Sequence, residues 1–466
     1  MTGKGGQAIV LFSKSDPEND TAIMLGDPKK AIYVTVLPFL LSILIGQINM
    51  LADVMWCSGL GSDYVSAIQV VSPIYWVVFD VGLGIGLGCN VIISHRIGQG
   101  NRAGAQNLIP QGMVLAIIMA ALLAPLMYLL IAPMLSWMGA ESLTEMTLSY
   151  MTPILLFNVF QVLSPTLSGF LRGEGAASKS NYSLIVGTVA NIILDPILIY
   201  GLDLGVQGAG IATAASFTIN STVMLWLYLS GRTTLRMTFK GFRVQLSEMK
   251  EIMVIGLPKM VEMFTMDAMD AINRVFLIMC GGVDAVTLFS VPFRLLMLAA
   301  MIPNAFALAL TPVSSANIGA KRPDKSVYAF NVCAKSILLI TGTLLVAYLL
   351  LADFLVIPFV QSESMIVLEP QLIDIIRIDA FMIPTIGVAL LCDSMLQSMR
   401  HPMFALMITL LRTALTTVVF ACLYTTSVEI MCIGMVAVNI AMVLVSILIT
   451  RVSIKNMILS NSPRPV

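Results

Sequence analysis

The sequence predicts an all-α polytopic membrane protein with about twelve transmembrane helices in two pseudo-symmetric six-helix lobes. Three observations carry that expectation. The 466-residue chain is 58% hydrophobic and only 11% charged, whereas soluble domains hold roughly 25% charged residues. Apolar runs of about twenty residues, enough for a helix to cross roughly 30 Å of hydrocarbon, recur along the whole length. Basic residues fall in alternate connecting loops. Long unbroken runs, rather than short alternating segments, favour helices over a β-barrel.

The spans are expected at 31–57, 64–95, 107–133, 143–171, 181–201, 207–229, 251–280, 284–316, 327–352, 370–399, 403–425 and 428–452. Arg96 and Arg102, Arg172 and Lys179, Arg232 through Lys250, Lys321 to Lys325, Arg400, and Arg451 with Lys455 occupy every second loop. The intervening loops, such as GLGSDY, WMGAES and GLDLGVQG, lack Lys and Arg. By the positive-inside rule both termini are cytoplasmic, in a plasma (inner) membrane. The expected organisation is a cytoplasmic tail over 1–30, an N-lobe over 31–229, a basic linker over 230–250, a C-lobe over 251–454 and a tail over 455–466.

The two halves resemble one another weakly. TVLPFLLSI resembles VIGLPKMVE, so Pro38 corresponds to Pro258. SHRIGQGNRAGA after span 2 resembles SANIGAKRPDKS after span 8, and SGFLRGEG after span 4 resembles SMLQSMRH after span 10. Six spans per half leave both halves in the same orientation, a parallel repeat of the kind that transporters use.

The stretch GTVANIILDPILIYGL, residues 187–202, is apolar yet contains Asp195, with no Lys or Arg between Lys179 and Arg232. A carboxylate at mid-membrane costs roughly 2.5–3.5 kcal/mol on insertion scales. Asp53 near the outer end of span 1, Tyr150 on span 4 and Thr213 on span 6 reach a similar depth, roughly 6–12 Å below the outer surface at 1.5 Å per residue. Asn49 and Asn191 each precede an aspartate by four residues, so each Asn–Asp pair shares a helix face. Two acids, amide oxygens and hydroxyls at one level suit a proton or a hard cation. The first half lacks basic partners for Asp53 and Asp195, so either protons or a bound cation must neutralise them. In the second half, Asp267, Asp270 and Asp379 are expected to be matched by Arg274, Arg294 and Arg412. Asp80 lies within the glycine-rich FDVGLGIGLGCN, where close helix packing is the plainer reading and a second site the alternative. Pro38 frees a carbonyl about four turns before Asp53 and permits a bend in span 1.

Other chemistry finds little support. The seven Cys form no CxxC pair, so neither a disulfide framework nor a zinc site is indicated. There is no HExxH motif and no Ser–His arrangement, so an enzyme is not expected, and neither is a cofactor. The partners expected are small organic cations and membrane lipids, with no nucleic acid, and the chain is expected to act as a monomer.

LPFLLSILIGQINMLADVMWCSGLG, IGQGNRAGAQ, LSGFLRGEGAASKSN and VANIILDPILIYGLDLGVQGAGIATAAS together resemble the multidrug and toxic compound extrusion (MATE) transporters, essentially along the whole chain and most specifically across 165–216. The resemblance implies a MATE/MOP-type fold and export of organic cations in exchange for H+ or Na+. In the prokaryotic DinF-like branch it implies ion coupling in the N-lobe at positions matching Asp53, Asn191, Asp195 and Thr213, where Na+ would be held if sodium is the ion. Tyr150, Asn49 and Asp195 then line the substrate cavity, and Pro38 is the hinge. The NorM-like branch places coupling acids in its C-lobe, and its span 10 acid finds Ile386 here. The alternative is a flippase for lipid-linked precursors, a related type of two-lobe exporter, against which the acidity of the first half weighs.

Overall fold

The computed structural model describes residues 23–239, 241–360 and 363–461. Most of the expected N-terminal tail and the end of the C-terminal tail lie outside them. The described residues form helices without strands. They are α1 (Pro28–Ser58), α2 (Ser62–Gly98), α3 (Arg102–Trp137), α4 (Thr144–Leu156), α5 (Asn158–Gly173), α6 (Ala177–Pro196) and α7 (Gly205–Leu229), followed by α8 (Leu246–Gly319), α9 (Pro323–Leu355), α10 (Glu363–Ala380), α11 (Met382–Ser398), α12 (Pro402–Leu423) and α13 (Val428–Asn461).

Their ends follow local chemistry. Asp27 accepts a hydrogen bond from the Lys29 amide at 3.1 Å ahead of Pro28, and Asn101 accepts one from the Gly104 amide at 2.9 Å. A short polar side chain thereby satisfies an amide that the helix cannot. Pro28, Pro323 and Pro402 stand in the first turns, where a missing N–H costs nothing.

Ten helices among the described residues are long and apolar enough to cross a membrane, and α4 with α5 makes an eleventh across a 54° bend. The seventh expected span, 251–280, is helical but carries Lys259, Glu262, Asp267, Asp270 and Arg274. It joins the eighth through Gly281 and Gly282, whose φ of 67° needs glycine. On α3, Ile118, Leu122 and Leu129 are exposed, as expected of a face turned to hydrocarbon.

The chain divides into two compact units, residues 1–260 with 315–321, and 261–314 with 322–466. In the first, α2 is the central packing element. Its alternating glycines serve two neighbours. A Cβ on Gly82 or Gly86 would strike the carbonyls of Val162 or Pro165 on α5, whereas one on Gly84 or Gly88 would strike those of Gly256 or Ile252 on α8. Small residues thus let helix backbones touch in the absence of a hydrophobic drive between helices in lipid. Thr166 and Ser94 add hydrogen bonds between α2 and α5, to the carbonyls of Gly82 at 3.3 Å and Gly173 at 3.1 Å. Close packing is therefore what the glycine-rich stretch around Asp80 does. The second unit has its own core, in which Phe289 packs edge-on to Phe420 at 5.8 Å and Tyr348 donates to the Leu295 carbonyl at 2.7 Å.

Candidate functional site

Four helices of the first unit carry the predicted residues. Asn49 and Asp53 lie one turn apart on α1, and the Asn49 amide donates to Asp53 Oδ2 at 3.2 Å. Asp195 closes α6 and is 2% exposed. Pro196 follows it and begins a π-helical turn over Ile197–Gly201, an irregularity common beside functional groups. The carboxyl groups of Asp53 and Asp195 are within hydrogen-bond reach of each other. The Tyr150 hydroxyl on α4 lies near the Thr213 side chain on α7. Gly210 permits that contact, because a Cβ there would collide with the Tyr150 carbonyl.

Two residues join the group that sequence reasoning did not single out. Cys57, one turn beyond Asp53, lies within electrostatic reach of both acids, and Tyr75 on α2 within reach of Asp53. Tyr75 is a ring among apolar residues, and Cys57 reads as a small hydrophobe, so no local motif marks either. The i,i+4 spacing of Cys57 from Asp53 is the one signal available.

Hydrogen bonding at this site is incomplete. Asn49 Oδ1, Asp53 Oδ1, Asp195 Oδ2 and both polar atoms of the Asn191 side chain are buried without a partner among the described residues. Buried polar groups are normally paired, so the four oxygens of Asn49, Asp53, Asn191 and Asp195 retain the capacity to accept from a proton donor or a cation. Asn191 is buried one helical turn before Asp195, yet among the described residues no hydrogen bond joins it to that acid. An ionised carboxylate only accepts hydrogen bonds. Two in contact therefore need a proton between them or a cation beside them. Among the described residues no three His, Cys, Asp or Glu side chains converge on a metal site, so the donors here are two carboxylates and neutral oxygens, a set of low charge.

The expected Asp–Arg matching of the second half holds in part. Arg274 pairs with Asp270 at 3.0 Å. Asp379 does not follow the expectation: it is 2% exposed, and neither carboxyl oxygen has a hydrogen-bond partner among the described residues. It lies on α10 near Cys432 of α13, among apolar side chains. Arg412 instead lines a cavity of about 10 Å³, barely room for one water, with Asp393, Thr409 and Ser446. Depth along a helix was readable from sequence, but helix rotation was not.

A model of the MatE family matches the chain twice, over residues 38–197 and 258–423. The two matches begin at Pro38 and Pro258, the prolines that open the internal repeat. The chain is 26% identical over 377 residues to a FAD transporter of Shewanella oneidensis, covering 78% of this chain and 81% of that one. It is 23% identical to the multidrug export protein MepA of Staphylococcus aureus, covering 63% of this chain and 65% of MepA. Among solved structures, the outward-facing conformation of a multidrug resistance MATE family transporter of the MOP superfamily is similar at a TM-score of 0.89, with 26% identity over 96% of this chain and 99% of that one. A MOP superfamily transporter from Pyrococcus furiosus, described as having a binding pocket of reversed polarity, is similar at the same TM-score of 0.89 and 26% identity, over 96% of this chain and 99% of that one.

Proposed function

The chain belongs to the MatE family of transporters, and from that premise we propose that it is a secondary active multidrug efflux antiporter, exporting amphipathic organic cations in exchange for H+ or Na+. The observation that carries this reading is the Asp53–Asp195 contact, with its unpartnered oxygens and no ion pair among the described residues. A proton bridging the two acids, or Na+ among the oxygens of Asp53, Asn191, Asp195 and Thr213, removes the negative charge that an organic cation needs. Ion and cargo then compete for the same electrostatic resource. Coupling requires that each prefers a different conformational state, since equal affinity for both shifts nothing.

In this reading Asn49 and Tyr150 line the cargo side of the site with Asp195, and Pro38 provides the flexible point of α1. The bilayer is the plasma (inner) membrane with both termini cytoplasmic, and the working unit is a monomer. Residues 31–229 and 251–454 act as the two lobes, joined by the linker 230–250.

A test is binding of a fluorescent planar organic cation to purified protein in nanodiscs. The reading expects Na+ or acid to weaken binding in wild type and to have no effect in Asp53→Asn. Equal sensitivity in both proteins would remove Asp53 from the competition. A second reading, export of a flavin dinucleotide, is favoured by the likeness to the Shewanella transporter. Two unpaired carboxylates weigh against an anionic cargo, and displacement of the fluorescent cation by FAD would favour it.

A further inference from the structure

The cytoplasmic end of α2 is fastened to both ends of α8, within the first unit. Arg96, the last basic residue of α2, is spanned by three acceptors. Its Nη1 donates to the Gly104 carbonyl at 2.9 Å, and its Nη2 to Glu248 Oε2 at 2.7 Å and Glu251 Oε2 at 2.6 Å. The side chains are 14%, 19% and 33% exposed, in the order Arg96, Glu248, Glu251. Beside this ion pair the helices meet backbone to backbone. Gly84 and Gly256 are reciprocal, each lying where a Cβ would strike the other's carbonyl, and Gly88 stands in the same way against Ile252.

At the far end of α8 the contact is reciprocal as well. A Cβ on Gly98 would strike the Ala316 carbonyl, and one on Gly319 would strike the His95 carbonyl. In the paired stretches SHRIGQGNRAGA and SANIGAKRPDKS, Gly98 corresponds to Gly319 and His95 to Ala316. The two repeats therefore cross here through equivalent atoms. Arg96 corresponds to Asn317, which donates instead to the Met24 carbonyl at 3.2 Å, so the charged fastening exists on one side only.

We infer that Arg96 with Glu248 and Glu251 is a reversible latch, closing the cytoplasmic ends of α2 and α8 and releasing them once per transport cycle. Two features suit release rather than permanent bracing. The ion pair is partly exposed, at 14% for Arg96 and 33% for Glu251, so water can take over each charge as it separates. The loop that leads into α8 is held independently: the Arg243 carbonyl accepts from Gln111 at 2.7 Å, and the Gln245 amide donates to Gln111 at 3.0 Å. The start of α8 can thus tilt about an anchored point without unravelling.

The inference rests on the transport reading above, and its test has one arm that needs no cargo. In nanodiscs, Arg96→Gln is expected to speed amide hydrogen exchange at least tenfold over 246–256 and 315–319 while leaving 205–213 unchanged. Uniformly faster exchange across the first unit, or no change, would show that Arg96 braces the fold rather than latching it. Glu251→Gln, a milder change, serves if Arg96→Gln does not fold. In the second arm, Arg96→Cys with Glu251→Cys is joined by a short reducible bis-thiol linker, each single variant controlling for the seven native thiols. Transport is expected to fall at least tenfold when linked and to return on reduction; an unchanged rate in the linked protein overturns the latch. If the cargo reading is wrong, the unlinked protein fails to transport as well, and the exchange arm alone decides.

Discussion

At the scale of single residues the chain keeps two kinds of buried acid. Asp53 and Asp195 meet each other, with amide and hydroxyl groups around them, whereas Asp379 stands in an apolar core with no partner among the described residues. The two kinds predict opposite mutational outcomes. Asp195→Asn preserves shape, and it is expected to reduce gradient-driven efflux more than tenfold while the thermal midpoint in detergent holds or rises. A fall in the midpoint with efflux intact would make Asp195 a structural acid. Asp379→Leu removes an unpartnered buried polar group, which costs about 1–3 kcal/mol, and should raise the unfolding free energy by a similar amount with transport retained; a chemical denaturation series on both proteins measures it. Spacing made the first group legible, because counting residues from uncharged outer loops gives depth, and i,i+4 pairs give a shared face. Asp379 was misread because its partnering depends on how α10 is rotated about its axis and on which neighbour faces it, neither of which residue depth fixes.

At the scale of helices, prolines and glycines determine how the spans bend and how closely they approach. Pro38 lies within an otherwise continuous α1 and removes the hydrogen bond that its N–H would make to the Val34 carbonyl. Pro38→Ala restores that bond and stiffens the helix. It is expected to slow transport severalfold while leaving equilibrium binding of a fluorescent cation near wild type, a split that parallel flux and binding measurements resolve. Gly169 lies against the Gly86 backbone where α5 crosses α2. Gly169→Val should cost about 1–3 kcal/mol through overpacking, read as a lower thermal midpoint. The spans were largely visible as apolar runs, and the charge alternation supported their order. The break of the fourth span at Phe157 was less so. Pro153 and Pro165 each permit a bend, but its position four residues after Pro153 is shared with tertiary contacts such as the Asn158 amide on the Ala120 carbonyl at 2.7 Å. The seventh span, expected at 251–280, is helical but too charged to count among the helices apolar enough to cross a membrane.

At the scale of the whole molecule, the repeat seen faintly in the sequence returns as two separate matches to one family model, over 38–197 and 258–423. The halves are nevertheless unequal in chemistry. The first carries a carboxyl pair with unused oxygens and an Arg96 fastening, and the second has Asn317 in place of that arginine. Duplication supplied the framework, and the two copies have diverged in where they place buried carboxyl groups and ion pairs. The central claim is that cation entry at Asp53 and Asp195 drives cargo out. The measurement that tests it most directly is efflux of an organic cation from sealed proteoliposomes, with sodium and pH gradients imposed separately, for wild type and Asp53→Asn. The account predicts that one gradient drives efflux by wild type and that the variant loses that response while remaining folded. If Asp53→Asn responds to both gradients as wild type does, the coupling site is not the Asp53–Asp195 pair.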